Sequence, residues 1–167
     1  PSSFDAGTST VVFNANGSTE TILMNGASFY HLVFSSNTQD ATYQMQDALF
    51  VLADLTMDEG AIFDNAANNV DIFVSSNVTM TNTQTNMGSS TWTVSGHWDH
   101  FWLNTFNHNN STVKLSGDNK NIASTNTGKP FYGVEISGSR TTAQTGFRAE
   151  GIVSILGTLN ILSGDNL

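Results

Sequence analysis

Two stretches of the sequence occur twice, and their second copies are Ser111-Thr112-Val113-Lys114-Leu115 and Phe131-Tyr132-Gly133-Val134-Glu135-Ile136-Ser137. The earlier versions are Ser9-Thr10-Val11-Val12-Phe13 and Phe29-Tyr30-His31-Leu32-Val33-Phe34-Ser35, each 102 positions upstream. A third block, residues 51–60, recurs at 155–164 with an offset of 104, which a short loop insertion explains. The chain therefore contains an internal repeat of about 102 residues.

The differences between the two copies predict which side chains point inward. Side chains two apart on a strand share a face, whereas neighbours point to opposite faces. One face keeps large apolar residues in both copies, which predicts core: Tyr30, Leu32 and Phe34, then Tyr132, Val134 and Ile136. The opposite face keeps Phe29 as Phe131 but changes the other two residues, His31 to Gly133 and Val33 to Glu135. A face that tolerates such changes is predicted to be exposed to solvent.

Short alternating runs bounded by Asn, Gly and Ser recur along the whole chain, and no helical period persists for ten residues. We therefore predict an all-β protein. Two architectures fit: a parallel β-solenoid with about 20 residues per coil and five coils per repeat, or tandem β-sandwiches with one domain per repeat. Sandwich domains would need a polar linker, and apolar alternation continues without one through Val70, Val78, Trp92, Trp98 and Phe106. The solenoid is favoured, with 1–167 as one continuous segment holding partial repeats at 1–105 and 106–167.

Composition and charge narrow the class of function. The net charge is −9, and all five Lys and Arg residues lie after position 113. An anionic surface repels phosphate groups, so we expect no nucleic-acid partner, and no apolar run is long enough for membrane insertion. The chain has no Cys, which excludes disulfides and thiolate metal sites. Because the chain begins and ends partway through a repeat, we expect it to be a segment of a longer repetitive protein.

Several stretches resemble one family. Trp92-Thr93-Val94-Ser95-Gly96-His97-Trp98, followed by Ser111-Thr112-Val113-Lys114-Leu115 and Phe131-Tyr132-Gly133-Val134-Glu135-Ile136, is similar to the repeats of large secreted β-helix proteins of bacteria, archaea and their viruses. The chain departs from the usual pattern at His97, where Asn is typical. The resemblance implies an extracellular, cell-surface or virion-surface location and a structural, adhesive or receptor-binding role. Its motifs are core and turn residues, so they indicate fold more strongly than function.

The candidate binding site is the aromatic stretch His97-Trp98-Asp99-His100-Phe101-Trp102. Strand alternation predicts His97, Asp99 and Phe101 on one face and Trp98, His100 and Trp102 on the other. If exposed, Trp98 and Trp102 could stack on sugar rings while Asp99 or His100 binds hydroxyl groups. The alternative is that both Trp side chains are buried in a wide interior. Because the two His residues face opposite ways, they do not predict a zinc site.

The sequence predicts no catalytic residue and no metal ligand. The adjacent acidic pair, Asp58 and Glu59, precedes Gly60 and is typical of a turn, and the region before residue 114 has no Lys or Arg to act as a proton acceptor. We expect no cofactor, with Ca²⁺ the one ion that the acidic surface would attract. The predicted function is a structural or adhesive stalk, filament or surface-layer element that self-associates. The alternatives are a viral fibre module that recognises glycans and, third, a carbohydrate-active enzyme on a β-helix scaffold.

Overall fold

The computed structural model describes residues 4–116, 120–124, 129–137, 148–151 and 153–162. These residues form strands, bridges and turns without any helix, so they contain no helix suited to crossing a membrane. The strands lie in three parallel sheets that the chain visits in turn, which makes a β-solenoid of about six coils. The prediction of an all-β solenoid is therefore confirmed.

The strands described, in chain order, are β1 (Thr10–Ala15), β2 (Thr19–Ile22), β3 (His31–Ser36), β4 (Ala41–Met45), β5 (Leu49–Val51), β6 (Leu55–Met57), β7 (Ala61–Asp64), β8 (Ile72–Val74), β9 (Val78–Thr81), β10 (Gln84–Asn86), β11 (Thr91–Val94), β12 (Trp98–Trp102), β13 (Thr105–Asn107), β14 (Thr112–Ser116), β15 (Asn121–Ser124), β16 (Gly133–Ser137), β17 (Arg148–Gly151) and β18 (Leu159–Ile161). Sheet A has the order β1-β3-β6-β9-β12-β15-β17, sheet B β13-β10-β7-β4-β2 and sheet C β18-β16-β14-β11-β8-β5.

The core consists of columns of inward side chains that stack from coil to coil. In sheet A, Leu32 pairs with Leu55, Leu55 with Val78, and Val78 with Trp98. All four side chains are fully buried. Parallel pairing places like positions of successive coils directly over one another, so a residue predicted to face inward in one coil extends the same apolar column in the next.

The prediction for the face of the repeated Phe-Tyr stretch is only partly correct. Leu32 and Phe34 are fully buried, as predicted, but Phe29, predicted to face outward, is buried, and Tyr30, predicted to face the core, is half-buried. Phe29 forms an isolated bridge with Val51 of sheet C, and β3 of sheet A begins two residues later. At the corner between the two sheets, the alternation of buried and outward side chains is interrupted. It is regular only from His31 onward.

The repeat is visible in the backbone, but it does not contain the predicted five coils. His31 N–H donates to Ser9 O and Gly133 N–H donates to Ser111 O, both at 3.1 Å, so equivalent residues make equivalent bonds to the preceding coil. However, β1 and β3 lie in sheet A, whereas their counterparts β14 and β16 lie in sheet C. Likewise β2 lies in sheet B and its counterpart β15 in sheet A. From a residue to its counterpart, the chain therefore completes four full coils and then passes along two of the three sheets of the next coil.

Asparagine and glycine form many of the corners between sheets. Asn25, Asn82 and Asn109 adopt positive φ values of 50°, 50° and 47°, a region that Asn tolerates better than most residues. At Gly96 the constraint is space rather than φ, because a Cβ atom there would lie 2.3 Å from the carbonyl oxygen of Ser76 in the preceding coil. Such corners explain why Asn and Gly recur between the strands.

Candidate functional site

The candidate stretch lies on β12, where a β-bulge interrupts the pairing with β9. Asp99 pairs with Thr79 and Trp102 pairs with Thr81, so β12 contains one residue more than β9 between these two pairs. An extra residue in one strand shifts the alternation of every side chain after it. The bulge therefore decides which of the aromatic side chains reach the surface.

The bulge divides the predicted site residues between the interior and the surface. Trp98 and His100 are 0% and 1% exposed, whereas Trp102 is 66% exposed. The prediction that Trp98, His100 and Trp102 share one face is therefore wrong for Trp102. The exposed pair of Trp98 and Trp102 does not form, because Trp98 lies in the core. Asp99 points outward with His97, as predicted, and only Asp99 and Trp102 of the predicted binding residues are accessible to a ligand.

Trp98 and His100, the two buried residues of the predicted binding site, form a hydrogen bond with each other. Trp98 Nε1–H donates a hydrogen bond of 2.7 Å to His100 Nδ1, which requires the neutral tautomer of His100 with its proton on Nε2. The imidazole stacks on Phe106, with ring centroids 4.9 Å apart, and meets Phe131 edge to face at 5.0 Å. Within the described part of the chain His100 Nε2 is buried without a hydrogen-bond partner. The role of this pair is thus internal packing rather than ligand binding.

The surroundings of His100 oppose its protonation. Burial, the largest cause, and the positive charge of Lys129 together lower the pKa of His100 to about 4, against a smaller opposing effect of the Lys129 backbone. The Lys129 ammonium itself donates to the carbonyl oxygen of Leu103. His100 therefore stays neutral at physiological pH, and its charging is coupled to opening of the core.

The accessible part of the candidate site is a groove on the outer surface of sheet A. It has a volume of about 320 Å³. The groove is lined by residues of three consecutive coils: Asn77, Thr79, His97, Trp98, Asp99, Asn121 and Ala123. Its polar groups are two amides, a hydroxyl, an imidazole and a carboxylate, which are suited to hydroxyl-rich ligands.

A hydrogen-bonded column that we call the corner ladder is formed by Asp54, Asn77, His97 and Asn121, and the last three of these residues line the groove. Asp54 Oδ1 accepts the Asn77 N–H at 3.1 Å, and Asn77 Oδ1 accepts the His97 N–H at 2.9 Å. His97 Nδ1 in turn accepts the Asn121 N–H at 3.0 Å. The side chains of Asp54, Asn77 and His97 thus each satisfy a backbone donor of the following coil, at the corner where the strand ladder begins. The corner ladder fixes the neutral tautomer of His97 with its proton on Nε2.

The corner ladder also holds Asp54 in its charged form. Burial by itself would raise the pKa of the Asp54 carboxyl, but hydrogen bonds from the Asn77 backbone and from the Ser76 and Asn77 side chains, together with nearby His31, lower it below its ordinary value. His31 Nδ1 lies 3.2 Å from Asp54 Oδ2. The carboxylate is therefore engaged in holding two coils together.

The described residues contain no cluster of three or more His, Asp or Glu side chains that could hold a metal ion. Asp58 and Glu59, the adjacent acids, occupy a corner after β6 where Asp58 Oδ1 accepts the Glu59 N–H. No protein-family model, no curated protein and no solved structure matches this chain.

The sequence-based reasoning did not identify the corner ladder or the groove. Both depend on polar residues of successive coils, Asp54, Asn77 and His97, which are 23 and 20 positions apart. Asn77 and His97 each follow a pair of small residues, Ser75-Ser76 and Ser95-Gly96, and this shared pattern is the signal that could have revealed the column.

Proposed function

We propose that this chain is a rigid structural segment of an exterior repetitive protein, acting as a stalk, filament or surface-layer element that spaces or anchors other groups. The observation that carries the proposal is one uninterrupted core that links the coils from β1 to β16. Stacked coils that share a core resist bending and proteolysis without disulfides. The resemblance to secreted β-helix repeats supports the exterior location.

An aromatic spine strengthens this core along the solenoid axis. It consists of Phe34, Phe63, Trp92, Trp98 and Phe131. Successive ring centroids are 5.6, 5.2, 5.7 and 5.8 Å apart, within the range of favourable edge-to-face contacts. Because the rings come from different coils and different sheets, bending the solenoid would separate several of them at once. This continuity is what a spacer requires.

Rigidity is tested by a distance measurement between two spin labels, which the absence of Cys makes straightforward. Val12 and Ala123 occupy one outward column of sheet A, five coils apart, with the register running through Val33, Thr56, Thr79 and Asp99. At about 4.8 Å per coil the labelled backbone positions lie about 24 Å apart. The proposal predicts one narrow distance distribution for V12C/A123C and slow cleavage by added protease. A broad distribution in the folded chain would contradict the proposed role.

Recognition of glycans is the second candidate function, and exposed Trp102 beside the groove favours it. Asp99 and Trp102 lie opposite Thr79 and Thr81 because of the bulge, so they are about 7 Å apart along the sheet, a span that suits a single sugar unit. An aromatic face with hydroxyl-binding groups at this distance is the usual composition of a carbohydrate subsite. The groove residues His97 and Thr79 would supply those groups together with Asp99.

Tryptophan fluorescence tests this candidate directly. Of the three Trp side chains, Trp92 and Trp98 are fully buried, so a bound sugar should change the emission of Trp102 alone. A panel of oligosaccharides should yield a saturable change that is lost in W102A and kept in the matched variant L23A, which alters another exposed apolar residue. Saturable binding that is unaffected by W102A would place the glycan elsewhere.

A further inference from the structure

Two surface corners of the solenoid contain the dipeptide Asn-Gly, Asn16-Gly17 and Asn25-Gly26. In this dipeptide the Gly nitrogen can attack the side-chain carbonyl carbon of the Asn, because Gly has no side chain to hinder the approach. Attack transfers the N–H proton to solvent, forms a C–N bond and expels the side-chain nitrogen as ammonia, which leaves a cyclic succinimide. Water then opens the ring to Asp or to isoaspartate. Both dipeptides are exposed, so access by water does not distinguish the two corners.

The corner at Asn16-Gly17 is tied to the next coil. Thr38 Oγ1 donates to Asn16 Oδ1 at 2.7 Å, and Gly17 N–H donates to Gln39 O at 3.2 Å. The space around Gly17 is also filled, since a Cβ atom there would lie 2.5 Å from Gln39 Oε1. The attacking nitrogen and the attacked carboxamide are both engaged, so this corner must open before the ring can close.

The corner at Asn25-Gly26 is a tight turn between β2 and β3 with free reacting groups. The φ angles are 50° at Asn25 and 78° at Gly26, and Ala27 N–H donates to Met24 O at 3.0 Å, which is the geometry of a type I′ turn. Within the described part of the chain, neither Gly26 N–H nor the Asn25 carboxamide has a hydrogen-bond partner. A Cβ atom at Gly26 would meet nothing within 4 Å, so the backbone has room to rotate.

Asp47, in the next coil, holds this turn only on its N-terminal side. Its Oδ1 accepts the Met24 N–H and its Oδ2 accepts the Asn25 N–H, both at 2.7 Å, and we call this pair of bonds the Asp47 clamp. Ring closure changes the torsion angles that follow the Asn25 Cα, so both bonds can remain while the ring forms. Among the described bonds, only the turn bond from Ala27 N–H to Met24 O must break.

We propose that Asn25 is a site of spontaneous deamidation in the folded protein and that Asn16 is protected by its corner. The reaction needs only water and does not depend on the structural role proposed above. Each conversion replaces a neutral carboxamide by a carboxylate, so the net charge of −9 becomes more negative by one. The new charge lies beside the Asp47 carboxylate, and their repulsion weakens the Asp47 clamp. The state of residue 25 therefore records the age of the molecule.

Peptide mapping after long incubation in water enriched in heavy oxygen tests the proposal. The folded chain is kept at mildly alkaline pH, where the Gly proton is lost faster, and is then unfolded and cut briefly with a protease specific for Glu. Glu20 lies between the two sites, so Asn16 and Asn25 fall in different peptides. Labelled Asp and isoaspartate should form at residue 25 at least about ten times faster than at residue 16, where two hydrogen bonds must break first. In urea the two residues should react at similar rates.

Thr38→Val is the matched variant, because it keeps the shape of an exposed side chain but removes the donor to Asn16. It should raise the rate at residue 16 and leave the rate at residue 25 unchanged. Asn25→Asp should unfold at a lower urea concentration than the unmodified chain, by a difference that shrinks at high salt. A folded chain in which residue 16 reacts as fast as residue 25 would overturn the proposal. So would conversion of both residues in urea with none at residue 25 in the folded chain.

Discussion

Acid should weaken this protein through one buried side chain, His100. Its neutral imidazole accepts a hydrogen bond from Trp98 and stacks on Phe106 inside the core. Unfolding releases it into water, where it binds a proton readily. The unfolded chain therefore binds more protons than the folded chain at mildly acidic pH, so lowering the pH favours unfolding.

The size of the effect follows from the change in pKa. Burial and the nearby Lys129 charge lower the pKa of His100 from an ordinary value of 6.5 to about 4. The corresponding stabilisation is fully present above pH 6.5 and is lost as the pH falls to about 4, amounting to about 3 kcal/mol across that window. Asp54 affects stability in a lower pH range. Because folding lowers the pKa of its carboxyl, the stabilisation that Asp54 provides is lost only as the pH falls below the ordinary pKa of 3.8.

Urea unfolding at a series of pH values between 7 and 4.5 measures this dependence. The matched variant is His100→Gln, whose side-chain oxygen can accept the Trp98 bond but does not titrate. The unmodified chain should lose stability over the window by roughly the stated amount, and His100→Gln should lose distinctly less. If both proteins show the same slope, His100 is not the acid-sensitive group and the assignment of its buried state is refuted. His100→Phe, which suits the surrounding rings, serves if the Gln variant does not fold.

Other substitutions test the corner ladder, the coil corners and the division between core and surface, each by urea or thermal unfolding. Asn77→Ala should cost about 1–3 kcal/mol because the N–H of His97 loses its acceptor and Asp54 Oδ1 loses the Asn77 Nδ2–H donor. Asn77→Asp keeps the acceptor but places a second carboxylate against Asp54, so it should not recover the loss. Gly96→Ala should cost about 1–3 kcal/mol, since its Cβ would overlap the preceding coil. Trp98→Ala should cost about 3–5 kcal/mol, but Trp102→Ala only about 0.5 kcal/mol, and equal costs would contradict the bulge.

The repeat and its alternation were sufficient to predict the fold class and much of the core. Leu32 and Phe34 were correctly placed inside because apolar character persisted at both positions in the second copy. The absence of a linker between copies correctly favoured a solenoid over sandwiches. His97 and Asp99 were correctly placed outward, since they lie on β12 and before it, where the period of two still holds. Each of these properties follows from the alternation within one strand or from comparison of the two copies, so none of them required knowledge of a tertiary contact.

Features that depend on contacts between neighbouring coils could be seen only in the tertiary structure. The phase change at Phe29 arises at a corner, and the exposure of Trp102 arises because β12 holds one residue more than the strand it pairs with. Periodicity within a strand cannot reveal either, because each depends on residues 20 or more positions away. The corner ladder through Asp54 and Asn77 has the same origin, since its donors and acceptors come from successive coils. Parallel stacking brings those residues together, and only the register of the coils determines which of them meet.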